Sequence, residues 1–312
     1  MPALPTRVGL RLGLVQYSES CLTFEAGKVS NMDTDERLTV LTVDVANRLT
    51  RLGLFVGDEL LSTWETSTPA HLTTDEARAQ VATFLVRNQL HAPDFGRERA
   101  QVAYHAEGGQ EGPHGTVLSC VVPSHSGSWA KALGEAARIR ALVVGPGIKT
   151  GVRMRLESPG EVGADRVANV MAARALLGSP AVVVSLGTTT NIEVVDASGS
   201  FVGGTIAPGL MMSLRSLNEV AARLPLVELR VPHRPIGRNT REAVQAGVVL
   251  GEVARVDGLL DYIMEQLGQD APVVMTGHHA AVVSPLLRHD ASVDETLTLR
   301  GLKLIWDANQ RS

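Results

Sequence analysis

Residues 182–206 read VVVSLGTTTNIEVVDASGSFVGGTI, and their layout decides the fold. Val182, Val183 and Val184 form a short β-branched run that reads as a buried strand. The run passes straight into Gly187 and the consecutive threonines Thr188, Thr189 and Thr190. A second apolar run follows at residues 192–195, then a Ser198-Gly199 turn, then a third run at residues 201–206. This is a β-meander. A strand that ends in glycine and hydroxyls offers backbone N–H groups and small side chains at a tight turn, as a polyphosphate requires at close quarters. On its own, the same pattern also describes a polar hairpin.

The plan occurs twice. Residues 41–49 (LTVDVANRL) run into 52–55 (LGLF) and then 56–61 (VGDELL): strand, polar turn, strand, Gly-Asp turn, strand. Two meanders about half a chain apart predict a duplicated domain whose halves face each other. Each half presents one polar turn, so a nucleotide between them has its phosphates gripped from both sides.

The setting is bounded by composition. A chain of 312 residues with 44% hydrophobic content can bury one large core or two smaller ones. The net charge of −4, with no basic stripe, argues against nucleic acid as a partner. Cys21 and Cys120 make no disulfide framework, which predicts a reduced, cytoplasmic location. No apolar run reaches membrane-spanning length, so no membrane partner is expected. Residues 1–38 stand apart as an N-terminal extension. Their apolar stretch at 8–17 is broken by Arg11 and lacks a small-residue cleavage site. The extension reads either as an appended hairpin or as a start placed ahead of Met32, and no function is assigned to it.

Between the meanders, periodicity predicts helices at 74–89 (N-capped by Thr74), 128–139 and 164–177, with strands at 117–122 and 141–144. Residues 91–115 read as a solvated loop. Further helices are expected at 210–224, 240–267 and 278–287, and a buried strand at 272–275. No linker divides the chain, which predicts two closely associated α/β lobes, residues 39–160 and 161–312.

The ordered motifs carry a family resemblance. VDVAN (43–47), GPGIKTG (145–151), EVGADR (161–166), GGTIAPG (203–209), IGRNT (236–240), AGVVLGEVARVDGLL (246–260) and LTLRGLKLIWDAN (297–309) follow one another as in type III pantothenate kinases. That family is part of the acetate-kinase, sugar-kinase, Hsp70 and actin superfamily. The resemblance implies duplicated actin-like (ribonuclease H-like) domains, each a mixed five-stranded sheet flanked by helices. It implies transfer of the ATP γ-phosphoryl group to pantothenate, giving 4'-phosphopantothenate in the first step of coenzyme A synthesis. Mg²⁺, a monovalent cation (K⁺ or NH₄⁺) and a homodimer come with it.

Site residues follow by the same resemblance. Asp44, ending a buried strand where a free carboxylate is costly, would hold Mg²⁺ through water; its plain alternative is an acceptor for turn N–H groups. Asp165 and Arg166 open a helix, where an anion is favoured. Asp165 is implied to be the base that deprotonates pantothenate and Arg166 the partner of its carboxylate. Gly163 and Ala164 line the approach. Asn47, Arg48, Gly187, Thr188 and Gly277 are assigned to ATP, with His278 beside the adenine and ribose. Thr240 would reach pantothenate from the opposite subunit. His278 and His279, being adjacent, make poor metal co-ligands and read as solvated neighbours.

Four positions depart from the family pattern. Ala46 replaces a glycine and Arg48 a threonine in the first phosphate motif. Ser185 stands where a cation-binding aspartate is usual, and Leu156 where a tyrosine lines the substrate pocket. The alternative reading is therefore a catalytically impaired relative with a binding or regulatory role. A sugar or acetate kinase is disfavoured by EVGADR and GRNT.

Overall fold

In a computed structural model of the chain, residues 38–90, 112–220, 224–225 and 227–310 are described. The expectations for Cys21, for the extension and for most of the 91–115 loop lie outside them. The first meander forms β1 (Thr39–Val45), β2 (Leu49–Val56) and β3 (Glu59–Ser67). Helix α1 (Thr74–Arg87) follows, then β4 (Gly115–Cys120), α2 (Pro123–Ala137) and the short β5 (Leu142–Val143). Next come β6 (Arg153–Met154), α3 (Ala164–Leu177) and the second meander, β7 (Ala181–Leu186), β8 (Thr189–Val195) and β9 (Ser200–Pro208). The chain continues through α4 (Leu210–Val220), α5 (Thr240–Gln245), a π-helical turn (Ala246–Leu250) and α6 (Gly251–Leu267). It ends with β10 (Val273–Thr276), α7 (Ala280–Val283), β11 (Ala291–Val293) and α8 (Leu297–Gln310).

The two sheets have one plan. The first has the order β3-β2-β1-β4-β5; the second has β9-β8-β7-β10-β11, with β6 added beside β9 as a sixth strand. In both, the meander is antiparallel and the two later strands are parallel. The second sheet thus carries the five-strand pattern plus a two-residue edge strand, too short to show periodicity in sequence.

Strand alternation sends opposite faces to different helices. Leu41, Val43 and Val45 of β1 pack under α1 and α2, with Phe84, Trp129 and Leu133. Val40 faces the other way, onto Val167 and Ala168 of α3 and Leu302 and Ile305 of α8. In the second sheet, Val182, Val184 and Leu186 pack on Val253, Val256 and Leu260 of α6. Val183 and Val274 turn back onto Ala172 and Ala173 of α3. Helices α3 and α8 therefore form a shared layer between the sheets. They cross so closely that a Cβ on Gly301 would fall within bonding distance of the Ala168 carbonyl oxygen. Gly301→Ala is expected to destabilise the chain by about 2 kcal/mol or more, because overpacking against backbone outweighs the roughly 1 kcal/mol of helix propensity gained. The urea midpoint reads the result.

Local signals placed most helices within a few residues. Helix α3 begins and ends where its Ala-rich periodicity does. The N-cap of α1 is Thr73 rather than Thr74, because Glu76 at the third position returns a 2.8 Å bond to the Thr73 N–H and completes a capping box. Helix α2 starts five residues earlier than its apolar pattern, at Pro123, whose fixed φ suits a first helical position. The 278–287 helix is a four-residue α7 followed by a 3₁₀ turn at Ser284–Leu286, since Pro285 cannot continue an α-helix. Strand β11 was not legible: it is short and has two exposed residues of three.

Candidate functional site

Because α3 lies between the sheets, its first turn receives side chains from both. Along β1, Val40, Thr42 and Asp44 share the face toward α3. Asp44 is buried and its Oδ1 has no hydrogen-bond partner. Burial, then the negative charge of Asp165, pushes its carboxyl up to about 7, against the pull of the Ser119 hydroxyl and the Arg51 guanidinium. Ser119 stands opposite Asp44 on β4, near enough to lower the carboxyl although its Oγ completes no hydrogen bond. Asp165 is also raised, chiefly by burial, with the Arg166 N–H and guanidinium working the other way. Its carboxylate folds back over the start of the helix: a Cβ on Gly163 would lie 2.4 Å from Asp165 Oδ1. A side chain at 163 would have to displace the Asp165 carboxylate, and Ala164 begins the helix beside it.

The second sheet supplies Glu193 from β8. Arg166 Nε donates to Glu193 Oε1 at 2.9 Å, and its guanidinium lies 5.8 Å from the centre of the Phe201 ring on β9. Glu193 is fully buried, its second oxygen is unpartnered, and burial raises its carboxyl to about 7 despite Arg166. Leu156 packs on the Phe201 cluster at the same end. Three carboxyls and one guanidinium thus converge on the N-terminus of one helix, with two of the carboxyls poised near neutrality. Such a group can accept a proton close to an anion-binding helix end.

The polar turns lie at the strand ends beyond this group. In the first, the Ala46 N–H donates to the Leu49 carbonyl at 3.0 Å and the Thr68 hydroxyl donates to the Ala46 carbonyl at 2.8 Å, leaving Asn47 and Arg48 exposed. In the second, the Gly187 N–H is engaged by the Thr189 carbonyl at 3.0 Å and the Thr188 carbonyl accepts from Gly209. The turn therefore offers fewer free N–H groups than its sequence promises. Gly277, with φ of 94°, abuts the end of β7: a Cβ there would lie 2.4 Å from the Leu186 oxygen. That contact brings the Gly277 turn against the Gly187–Thr188 turn. Burial, then the charges of His278 and Arg48, lower the His279 imidazole, which places Arg48 near it. His278 Nε2 lies 3.2 Å from Glu65 on β3. The turns from the two sheets therefore face one another, and the histidines take part in that contact.

Ser185 sits in one row with Asn191 and Thr276, its ladder partners on β8 and β10. Asn191 Oδ1 and Thr276 Oγ1 are buried without partners, so the row presents neutral oxygens. Thr240 is placed elsewhere. It opens α5, exposed, after the Asn239 cap, and among the described residues makes no hydrogen bond or ion pair to Asp165 or Arg166. It adjoins a cavity of about 390 Å³ lined by Arg230, His233, Arg234 and Arg241. Glu193, Ser119 and Glu65 were missed in the sequence. For Glu193 a signal exists: a charged residue inside the apolar run IEVV is costly to bury unless paired.

The family model described as type III pantothenate kinase matches residues 40–262. A type III pantothenate kinase of Acidothermus cellulolyticus is 40% identical over 278 residues, covering 86% of this chain and 98% of that one. One from Brevibacillus brevis is 36% identical over 271 residues, 87% and 99% of the two chains. Among solved structures, a Baf-family protein of Campylobacter jejuni is similar in fold, with a TM-score of 0.51 at 16% identity over 87% of this chain and 100% of that one.

Proposed function

Because the chain belongs to the type III pantothenate kinase family, we propose that Asp44, Asp165 and Arg166 carry its reaction. The chain is a kinase that phosphorylates pantothenate in coenzyme A biosynthesis. The observation behind the assignment is the convergence of Asp44 and Asp165, from β1 and α3, at one helix N-terminus with both carboxyls raised. Asp165 takes the proton from the pantothenate hydroxyl as that oxygen attacks the γ-phosphorus and the bond to ADP breaks. Arg166 holds the substrate carboxylate, with Gly163 and Ala164 giving close approach to the backbone and Leu156 lining the pocket. Asn47, Arg48, Gly187, Thr188 and Gly277 enclose ATP, Arg48 as a charge-assisted phosphate donor.

The unpartnered, buried Oδ1 of Asp44 fits Mg²⁺ held through water. What the ion supplies when bound is neutralisation of charge on the transferring phosphate. The row of Ser185, Asn191 and Thr276 has the neutral oxygens that suit a weakly held K⁺ or NH₄⁺ in place of a carboxylate site. We assign lobes at 39–160 and 161–312, noting that β6 joins the second sheet and α8 packs on the first. The family resemblance supports a homodimer in which Thr240 serves the neighbouring site. Among the described residues no helix is long and apolar enough to cross a membrane, and a cytoplasmic location follows from the reaction class.

A second reading, a chain that binds pantothenate without transferring phosphate, draws on the Ala46 methyl and on the hydroxyl lost at Arg48. Product formation from ATP and pantothenate, followed with and without K⁺ or NH₄⁺, separates the two. We expect 4'-phosphopantothenate to form and its rate to rise with either cation. Pantothenate binding with no product under any cation decides for the second reading.

A further inference from the structure

We propose that Glu193 is a positioning residue for Arg166, holding the guanidinium so that its terminal nitrogens meet the substrate carboxylate. The inference rests on the assignment of Arg166 to that carboxylate. Glu193 occupies only Arg166 Nε, and among the described residues the terminal nitrogens make no hydrogen bond. The fork that binds a carboxylate in two parallel bonds is therefore left open. Phe201 supports the plane of the guanidinium. Across the ladder from Glu193 stands Gly204, pressed so closely on the Ile192 carbonyl that no side chain fits there.

Stability alone does not explain the arrangement. A fully buried carboxylate with one oxygen unpartnered is costly, and an apolar residue of similar volume commonly serves a core as well or better. Without Glu193, the nearest anion for Arg166 is Asp165, its neighbour in sequence. A guanidinium turned onto Asp165 leaves the substrate carboxylate unmatched. Glu193 keeps the two apart.

The test uses the full chain and steady-state kinetics with pantothenate, and with an analogue whose carboxylate is an amide. Glu193→Gln is expected to raise the pantothenate KM about tenfold, while kcat and the ATP KM change less than about threefold. The KM for the amide should stay the same, a result that a merely structural role would not give. Arg166→Lys serves as the reference and should also raise the pantothenate KM. If Glu193→Gln leaves that KM unchanged while Arg166→Lys raises it, the positioning role is wrong and the Arg166 assignment stands. If neither raises it, both are wrong. Equal losses for pantothenate and the amide likewise overturn the proposal. Should Glu193→Gln not fold, Glu193→Asp keeps the charge but shortens its reach. A KM about threefold higher is then expected, and a wild-type KM overturns the role.

Discussion

Asp165→Asn is expected to lower kcat about 10³-fold while the Kd for pantothenate changes less than about threefold. Asparagine has the same shape and can still accept a hydrogen bond, but it cannot take a proton as the hydroxyl attacks. Because burial raises Asp165, the acid limb of the wild-type kcat/KM profile should lie above the ordinary carboxylate range. Activity therefore rises with pH through that raised value, and this limb should vanish in the variant's residual activity. A second consequence tests the geometry rather than the chemistry. Since the Asp165 charge is the second cause holding Asp44 up, its removal should let Asp44 titrate lower. Single-turnover kinetics and calorimetric titration of pantothenate check these results. Activity retained within about tenfold of wild type would remove Asp165 from the base role.

Asp44→Asn should separate activity from stability. We expect kcat to fall at least about 10²-fold, because the carboxylate that fits a magnesium ion is lost. The ligand-free fold should nevertheless gain stability above pH 7. The ordinary Asp value is 3.8 and the folded one about 7. Well below pH 3.8 the carboxyl is protonated in both states and contributes no difference. As pH rises toward 7 the unfolded chain ionises first, so the wild-type fold loses stability. Well above 7 the loss is complete, on the order of 4 kcal/mol. Asparagine removes that loss, so the urea midpoints should differ little at pH 3 and favour the variant clearly at pH 8. Saturating Mg·ATP should stabilise the wild type and leave the variant nearly unchanged. A variant less stable than wild type at pH 8 would mean that the Asp44 carboxylate serves the fold itself.

Much of this was open to a reader of the sequence, for reasons that are local. The meanders at 39–67 and 181–208 declare themselves because strand alternation, Gly-Asp and Ser-Gly turns and short connections are all near neighbours in the chain. Helix α3 declares itself through its Ala-rich spacing between Gly163 and Gly178. Asp44, Asp165 and Arg166 stand out because a charge at the end of an apolar strand, or opening a helix, needs a reason. By contrast, the pairing of Arg166 with Glu193 spans 27 residues and two elements. Nothing within the IEVV run states which cation will reach it. The contact of Gly277 with Leu186 and the approach of Arg48 to His279 likewise depend on how turns from separate strands are stacked. The engagement of the Gly187 N–H by Thr189 was hidden for the same reason, since a glycine-threonine turn reads alike with that donor free or spent.

The sequence by itself determined the repeated three-strand meanders, the positions of the polar turns and the family, since each rests on order and periodicity along the chain. Only the tertiary structure decided that α3 is a shared wall. Burying its two apolar faces against two different sheets brings Asp44 from one and Glu193 from the other to the same helix end. Desolvation there raises all three carboxyls, and desolvation belongs to the packed assembly of elements, not to any one segment of the chain.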